Sequence, residues 1–185
     1  MLLIGGPSGV GKTRLSYPLA RRFGVPIVEV DDIVEALKAT TTPEQQPALH
    51  YWATHPEAAD LPPEGILGIH LAVAEALEPA LEVVIANHLE TDTPVVIEGD
   101  YLVPAFAARD RRVASVFLHE PDIGQLVENF AGREPDEGRQ HGRARVSALY
   151  GEWLAAEAVR FRVPLVAARP WSTLEHRVLT ALAES

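Results

Sequence analysis

The sequence predicts an α/β sandwich in which five parallel strands carry helices on both faces. Short apolar runs rich in β-branched residues alternate with longer segments of helical periodicity, and such runs are typical of buried parallel strands. A glycine-rich loop directly follows the first run. This alternation indicates a doubly wound sheet with its chemistry at the carboxyl ends of the strands. The predicted strands lie at residues 2–4, 27–30, 95–97, 113–118 and 164–167.

The segments between these runs carry apolar residues at helical spacing. Leu15, Leu19 and Phe23 recur every four residues, and Gly24 follows them as a signal for the end of a helix. Comparable patterns predict further helices at residues 66–89, 144–162 and 172–183.

Two stretches interrupt the alternation. Residues 40–64 are rich in Thr, Pro, Gln and His and contain Tyr51 and Trp52, whereas residues 131–143 are rich in Gly, Arg and acids. Long irregular segments in a compact domain are usually lids or binding loops. We therefore predict one domain over residues 1–185, with residues 40–64 covering an acceptor molecule and residues 131–143 forming a lid. The alternative for residues 40–64 is a loop packed by its own aromatic side chains.

Composition excludes several classes of protein. A formal net charge of -10 argues against nucleic-acid and anionic-membrane partners, because both select for clustered Lys and Arg. The chain has no cysteine, so a disulfide framework, thiolate catalysis and a zinc ribbon are excluded. Residues 1–6 are apolar but short and lack a basic leader, so we expect neither a signal peptide nor a membrane span. The expected location is the cytoplasm.

The glycine-rich loop matches the phosphate-binding pattern G-x-x-x-x-G-K-[ST]. Its glycines let the backbone N–H groups point inward at phosphate oxygens. Lys12 supplies a mobile charge for the β- and γ-phosphates, the Thr13 hydroxyl can ligate Mg²⁺, and the following helix adds its positive end. The predicted nucleotide-binding residues of this loop are Gly6, Ser8, Gly9, Val10, Gly11, Lys12 and Thr13.

Two other interpretations of the loop are weaker. A glycine-rich turn that only joins strand to helix is the first, and the position of the motif between an apolar run and a helical pattern argues against it. A dinucleotide-binding fingerprint is the second. Gly6, Gly9 and Gly11 do not have its G-x-G-x-x-G spacing, and a lysine followed by threonine has no role there.

Acidic residues follow two of the predicted strands. Asp31 and Asp32 come after residues 27–30, and Glu98 and Asp100 come after residues 95–97. Phosphoryl transfer needs one acid to orient or deprotonate the attacking hydroxyl and another to hold Mg²⁺ or its waters. We predict Asp31 as the base, with Asp32 as either a helix-capping acid or the alternative base. Glu98 is predicted to support the metal or the acceptor.

Arginines are concentrated in residues 131–143 and just beyond. Glycine-flanked arginines suit a lid that closes over ATP and neutralises transition-state charge. We predict a catalytic role for Arg133 and phosphate contacts for Arg139 and Arg143. Arg145 belongs to the same group. The alternative is a solvated loop whose arginines pair with the acids of the same stretch.

Several stretches resemble 2-phosphoglycerate kinase-like proteins of the P-loop superfamily. Residues 95–104 (VVIEGDYLVP) are similar to the E-G-x-x-L-x-P segment of that family, and residues 5–13 are similar to its opening loop. Residues 31–35 (DDIVE) align with its D-x-I-R-E stretch, and residues 163–166 with its closing strand. Val34 stands where that family has a basic residue.

Residues 30–37 (VDDIVEAL) look more like the corresponding stretch of chloramphenicol phosphotransferase. In that family the aspartate matching Asp31 acts as base toward a drug hydroxyl. Both resemblances imply a nucleotide kinase-like core, Mg²⁺ and transfer to a hydroxyl.

The fold predicted from motif and resemblance together is a three-layer P-loop NTPase sandwich of the nucleotide kinase-like class. The predicted activity is transfer of the γ-phosphoryl group of MgATP to a hydroxyl of a small molecule, either a metabolite or a natural product. ATP and Mg²⁺ are the expected cofactors. Two alternatives stay open, namely a 2-phosphoglycerate kinase proper and a nucleotide-dependent regulatory ATPase in which hydrolysis drives a partner interaction.

Overall fold

The protein folds around one parallel sheet of five strands, as the sequence predicts. The structure is a computed structural model that describes residues 1–184, apart from the side chains of residues 107 and 108; Ser185 lies outside the described residues. The strands pair in the order β2-β3-β1-β4-β5, and every pair is parallel. They are β1 (Leu2–Gly5), β2 (Ile27–Glu29), β3 (Val96–Gly99), β4 (Ala114–His119) and β5 (Leu165–Ala167).

Seven α-helices connect and cover the strands in the described part of the chain. They are α1 (Thr13–Phe23), α2 (Val30–Thr40), α3 (Tyr51–Thr54), α4 (Pro63–Glu90), α5 (Ile123–Arg133), α6 (His141–Phe161) and α7 (Leu174–Ala183). Short 3-10 turns occur at Pro56–Asp60, Pro104–Arg109, Pro135–Glu137 and Trp171–Thr173. None of the helices among residues 1–184 is long and apolar enough to cross a membrane.

Alternating side chains of the central strand pack on opposite faces of the sheet. Leu3 belongs to a cluster that includes Leu77 of α4 and Leu154 of α6. Ile4 belongs to a second cluster with Leu15 of α1 and others from α7. Successive side chains of a strand point to opposite faces, so β1 is buried between two helical layers. The predicted three-layer arrangement is therefore confirmed.

The ends of two strands at the carboxyl edge of the sheet differ from the prediction. Strand β2 ends at Glu29, and Val30 already begins α2. Strand β3 continues through Glu98 because that residue pairs in register with Ile4 and Glu29. Asp31 therefore lies in the first turn of a helix, and Glu98 lies on a strand rather than after it.

The two irregular segments are shorter than predicted. Helix α2 ends at Thr40 and α4 begins at Pro63, with the short helix α3 and one 3-10 turn between them. In residues 131–143, α5 continues to Arg133 and α6 begins at His141.

Capping by Asp122, whose side chain accepts a hydrogen bond from the Gln125 backbone N–H, explains where α5 begins.

Candidate active site

The phosphate-binding loop links β1 to α1 at the carboxyl edge of the sheet. Gly9 and Gly11 have φ angles of 77° and 93°, which side chains with a Cβ atom rarely adopt. A Cβ atom at Gly11 would also lie 2.3 Å from the Trp171 ring. The loop therefore needs glycine at these positions for both backbone and packing reasons. Within it Val10 is buried in the core, while Ser8, Lys12 and Thr13 line a cavity.

Lys12 is almost completely enclosed, with 8% of its surface exposed. Its ammonium donates to the Pro7 carbonyl at 3.1 Å and forms an ion pair with the Asp100 carboxylate. Burial of a cation requires such partners, because an isolated buried charge loses its hydration without compensation. The loop thus contributes one positive charge to the lining of the cavity.

Thr13 and Glu98 form the candidate metal position. The Thr13 hydroxyl lies 3.5 Å from Glu98 Oε1. Glu98 is only 6% exposed, and within residues 1–184 its Oε2 atom has no hydrogen-bond partner. Burial raises the pKa of Glu98, partly opposed by the charge of Lys12. A buried carboxylate oxygen without a donor beside a threonine hydroxyl matches the oxygen ligands that Mg²⁺ takes.

No group of three or more His, Asp or Glu side chains in the described residues could hold a metal ion without other ligands. Magnesium ions in nucleotide sites are usually held by one or two protein carboxylates together with substrate phosphates and water.

Asp31 and Asp32 have different surroundings although they are adjacent. Both residues are exposed, but Asp31 lines the same cavity as Lys12 and Glu98, whereas Asp32 lies outside the lining. Removal of solvent by the surrounding protein raises the pKa of Asp31, and the charge of Asp100 adds to the effect. Of the two candidates for the base, Asp31 is the one that shares the cavity lining with Lys12.

The arginines of residues 131–145 divide into two groups. Arg133 and Arg143 line the cavity, both pair with Glu134, and both lie over the Phe130 ring. That ring packs against Gly9 of the phosphate-binding loop. Hydrogen bonds from Gln140 and Arg133, with the charges of the two arginines, lower the pKa of Glu134 to about 2.

Arg139 does not join this group. Its side chain is 69% exposed, its guanidinium pairs with Glu128 at 3.3 Å, and the residue is absent from the lining of the cavity. Arg139 lies between the 3-10 turn at Pro135–Glu137 and α6. Arg145 does line the cavity from α6.

The cavity that contains these residues has a volume of about 920 Å³. Its acceptor side is formed by two sets of side chains. The first, here called the apolar wall, comprises Trp52, Ala59, Leu61, Pro63 and Ile66. The second, here called the aromatic floor, comprises His70, Tyr101 and Tyr150.

The sequence reasoning missed the aromatic floor and the contact of Asp100. His70 falls within the helix predicted for residues 66–89, and its ring lies 5.2 Å from that of Tyr101 and 5.3 Å from that of Tyr150. Burial lowers the pKa of His70 and raises the pKa of both tyrosines. All three side chains are therefore uncharged near neutral pH. The sequence shows Asp100 as the second acid after the predicted strand at residues 95–97. It does not show that Asp100 pairs with Lys12.

A smaller cavity of about 400 Å³ lies on the other side of the phosphate-binding loop. It is bounded by the loop backbone, by Asn129 and Gly132 of α5, and by Trp171. The Arg14 guanidinium lies 5.1 Å from the centre of the Trp171 ring. This arrangement offers an aromatic face next to the phosphate-binding loop.

No family model matches the chain, but it is similar to curated proteins. It is 27% identical over 184 residues to 2-phosphoglycerate kinase of Pyrococcus furiosus, covering 90% of this chain and 58% of that protein. With 2-phosphoglycerate kinase of Methanococcus maripaludis strain C7 the identity is 29% over 156 residues, covering 80% of this chain and 48% of that protein. The chain spans about half the length of these relatives.

Solved structures share the fold. A gluconokinase from Sinorhizobium meliloti 1021 superposes with a TM-score of 0.56 at 21% identity, covering 99% of this chain and 91% of that one. A shikimate kinase from Acinetobacter baumannii, in complex with shikimate, gives a TM-score of 0.56 at 17% identity, covering 99% and 92%. The chain is thus similar in sequence to 2-phosphoglycerate kinases, as the resemblance predicts, and has the fold of the P-loop small-molecule kinases.

Proposed function

We propose that this protein transfers the γ-phosphoryl group of MgATP to a hydroxyl group of a small molecule. One observation carries the proposal: a single cavity contains the lysine of the phosphate-binding loop and the carboxylate of Asp31 together with the apolar wall and the aromatic floor. A nucleotide phosphate and an acceptor hydroxyl would meet between Lys12 and Asp31. Such positioning is the main requirement of phosphoryl transfer, which asks for little covalent chemistry from the protein.

ATP and Mg²⁺ have matching groups at the loop. Lys12 and the backbone N–H groups of the loop would hold the β- and γ-phosphates, with the positive end of α1 behind them. Thr13 and Glu98 would hold the metal or its waters. When bound, Mg²⁺ neutralises charge on the phosphate oxygens. We place the protein in the cytoplasm, where both are supplied.

The proposed step is an in-line displacement. The acceptor hydroxyl oxygen forms a bond to the γ-phosphorus while the bond between that phosphorus and the β,γ-bridging oxygen breaks, and ADP leaves. The hydroxyl proton passes to Asp31, which then returns it to solvent. Because its surroundings raise the pKa of Asp31, this carboxylate is a stronger base than an ordinary aspartate.

Arg133 and Arg143 would stabilise charge on the transferred group. Both now pair with the same carboxylate, Glu134. Exposed ion pairs contribute little stability, about 0–1 kcal/mol, so phosphate oxygens can replace Glu134 as their partner. The movement required is small because Phe130 already holds both guanidinium groups beside the phosphate-binding loop.

A second candidate is 2-phosphoglycerate kinase itself. It is favoured by the names of the curated relatives, which match this chain over about half of their own length. The regulatory ATPase stays as a third alternative, but hydrolysis alone would not need the acceptor side of the cavity.

The test is consumption of ATP by the purified protein with Mg²⁺ against a panel of hydroxyl-bearing acceptors. We expect acceptor-dependent formation of ADP in the wild type and in Asp32→Asn, the matched control for the neighbouring acid. We expect loss in Lys12→Ala by about 10²–10³-fold, the usual effect of removing a preorganised charge-stabilising group. Slow hydrolysis that ignores every acceptor and survives Asp31→Asn would instead support the regulatory ATPase.

A further inference from the structure

A buried carboxylate outside both cavities has a full set of partners. Glu120 directly follows β4, is only 3% exposed and belongs to the lining of neither cavity. It accepts two hydrogen bonds from the Arg169 guanidinium, at 2.5 and 3.0 Å, and one from the Asp122 backbone N–H at 3.0 Å. The two contacts from Arg169 make a bidentate pair, which fixes the relative orientation of both groups as well as their distance.

Stability alone gives a weak reason for this ion pair. Apolar residues of similar volume often stabilise a protein as well as a buried ion pair does, because both charges lose their hydration on burial. A bidentate pair does provide a fixed geometry between the two chain segments that carry it. Its effect on the site therefore depends on what those two segments hold.

The segment of Glu120 leads into α5. Arg169 also donates to Gln125 at 3.0 Å in the first turn of this helix, so the ion pair holds the beginning of α5. Further along the helix, Asn129 donates to the Gly9 carbonyl at 2.9 Å, and Asn129 also lines the smaller cavity. Helix α5 is thus one wall of the smaller cavity.

The segment of Arg169 leads to another wall of the same cavity. Trp171 follows two residues later, lines the smaller cavity, and packs so closely on the loop that a Cβ atom at Gly11 would lie 2.3 Å from its ring. Arg177 donates to the Pro170 carbonyl at 3.1 Å and holds the same turn from the side of α7. Arg169 connects the turn to the beginning of α5. The ion pair therefore joins two walls of the smaller cavity.

The smaller cavity suits the nucleoside of ATP. Lys12, Thr13 and Arg133 line both cavities, so a triphosphate on the phosphate-binding loop would lie where the two cavities meet. With the γ-phosphoryl group directed toward Asp31 in the main cavity, the other end of the nucleotide would point to the smaller one. Its volume of about 400 Å³ is within the usual range for small-molecule sites, and the Trp171 ring offers a face for stacking.

We infer, on the basis of the proposed function, that Glu120 and Arg169 are positioning residues for the nucleoside of ATP. They hold α5 and Trp171 at the spacing that the nucleoside requires, and neither of them lines the cavity. The phosphates depend on the loop, whose Gly9 carbonyl keeps its own bond from Asn129 when the ion pair is lost. Loss of the ion pair should therefore weaken the binding of ATP and spare the binding of a triphosphate that has no nucleoside.

The test compares ATP with methyl triphosphate, which carries the same phosphate chain but no nucleoside, both with Mg²⁺ and without acceptor. Dissociation constants are measured by isothermal titration calorimetry for the wild type and for Glu120→Gln, which keeps the shape of the side chain but removes its charge. We expect the variant to bind ATP about tenfold more weakly, the order expected for losing a hydrogen bond between charged groups, and to bind methyl triphosphate as the wild type does. An equal loss for both ligands, or no loss for ATP, would overturn the inference.

Two further variants separate positioning from folding. Arg169→Lys keeps both charges but cannot make the bidentate contact, so it is the milder change, and it should show the same selective loss of ATP binding. Glu175→Gln is the matched control, because it removes the carboxylate of the ion pair between Arg22 of α1 and Glu175 of α7, outside the lining of either cavity. It should leave both dissociation constants unchanged. A similar loss in this control would show a general effect of charge and would contradict the positioning role.

Failure of the proposed function looks different. ATP binding that responds to Glu120→Gln as expected, without turnover of any acceptor, would contradict phosphoryl transfer and leave the positioning role in place. A wild type that binds ATP no more tightly than methyl triphosphate would instead contradict the nucleoside site, whatever the acceptor assay shows.

Discussion

Lys12 of the phosphate-binding loop and Asp100, the residue after β3, form an ion pair in the lining of the cavity. The backbone of Asp100 is fixed in turn by the Tyr150 hydroxyl, which donates to its carbonyl at 2.7 Å. The loop, the central sheet and α6 are thus connected through one aspartate. Because the same lysine would bind ATP phosphates, Asp100 and the nucleotide compete for it.

Replacing Asp100 by Asn tests this competition. Without nucleotide the variant leaves Lys12 buried without its carboxylate, so we expect a lower melting temperature than for the wild type. With MgATP the phosphates provide the missing negative charge, so the temperature increase caused by the nucleotide should be larger in the variant. Thermal unfolding with and without MgATP measures both effects.

The matched control for this experiment is Asp136→Asn, at an exposed position in the 3-10 turn before α6. It should leave both melting temperatures unchanged. A smaller nucleotide effect in Asp100→Asn than in the wild type would show that Asp100 assists ATP binding rather than competing with it.

The substitution Asp31→Asn should lower the activity and slightly increase the melting temperature at neutral pH. Burial raises the pKa of Asp31 in the folded state, so its ionised form is less favourable there than in the unfolded chain. The stability that protonated Asp31 contributes is complete below the unfolded pKa and is lost as pH increases through the folded pKa. We therefore expect Asn to give a slightly higher melting temperature at neutral pH, with the difference vanishing in acid.

The same variant should lose acceptor-dependent turnover by about 10²–10⁴-fold, the range for a general base. Melting curves across the pH range, with rates at neutral pH, check both expectations. Wild-type melting temperature above that of Asp31→Asn at neutral pH would mean that the ionised carboxylate is stabilised by partners in the folded state, contrary to our reasoning.

Glu98→Gln tests the metal position. The change keeps the shape of a buried side chain but removes the charge of an oxygen that has no donor in the described residues. We expect the Mg²⁺ concentration for half-maximal activity to increase by about 10–100-fold, the typical effect of losing a metal-orienting group. Folding should persist, because the buried carboxylate has a raised pKa and is costly when ionised.

Glu29→Gln is the control for Glu98→Gln, since Glu29 also lines the cavity but contacts Tyr17 instead of Thr13. Its requirement for Mg²⁺ should match that of the wild type. An unchanged requirement in Glu98→Gln would remove Glu98 from the metal position and leave Thr13 as the remaining protein ligand.

The sequence predicts the sheet and the phosphate-binding loop because both depend on local patterns. Apolar runs and the G-x-x-x-x-G-K-[ST] spacing are visible without any tertiary contact. The predicted strand ends at residue 97, because Glu98 is polar and interrupts the apolar run. In the structure Glu98 pairs with Ile4 and therefore belongs to β3. A local sequence pattern does not reveal this pairing, because the two paired residues are far apart in the chain.

The site was less predictable than the fold for a related reason. Arg133, Arg139 and Arg143 have similar neighbours in sequence, but only Arg133 and Arg143 face the cavity. The directions of these side chains depend on where α5 ends and α6 begins, whereas the sequence predicts a single irregular segment over residues 131–143. The position of His70 in the cavity is not predictable from the helical pattern, because it depends on contacts with Tyr101, which follows β3, and with Tyr150 of α6.

A chain of hydrogen bonds from the end of β5 to the phosphate-binding loop leads to the last prediction. Arg169 donates to Gln125 at 3.0 Å, Gln125 donates to Asn129 at 2.8 Å, and Asn129 donates to the Gly9 carbonyl at 2.9 Å. Each side-chain amide donates at one end and accepts at the other, so the chain has a single direction. It holds the loop backbone in place without contacting the cavity on the acceptor side.

Asn129→Ala should therefore weaken ATP binding and leave the acceptor step largely unchanged. Loss of one hydrogen bond costs about 1 kcal/mol, so we expect the KM for ATP to increase about fivefold while the KM for the acceptor stays the same. Steady-state rates at varied ATP and fixed acceptor check this. Arg160→Ala, whose side chain is 70% exposed and pairs with Glu157 near the end of α6, is the control and should change neither constant. A lower kcat with unchanged KM for ATP in Asn129→Ala would mean that Asn129 acts on the transition state rather than on the position of the loop, because only the former leaves nucleotide binding intact.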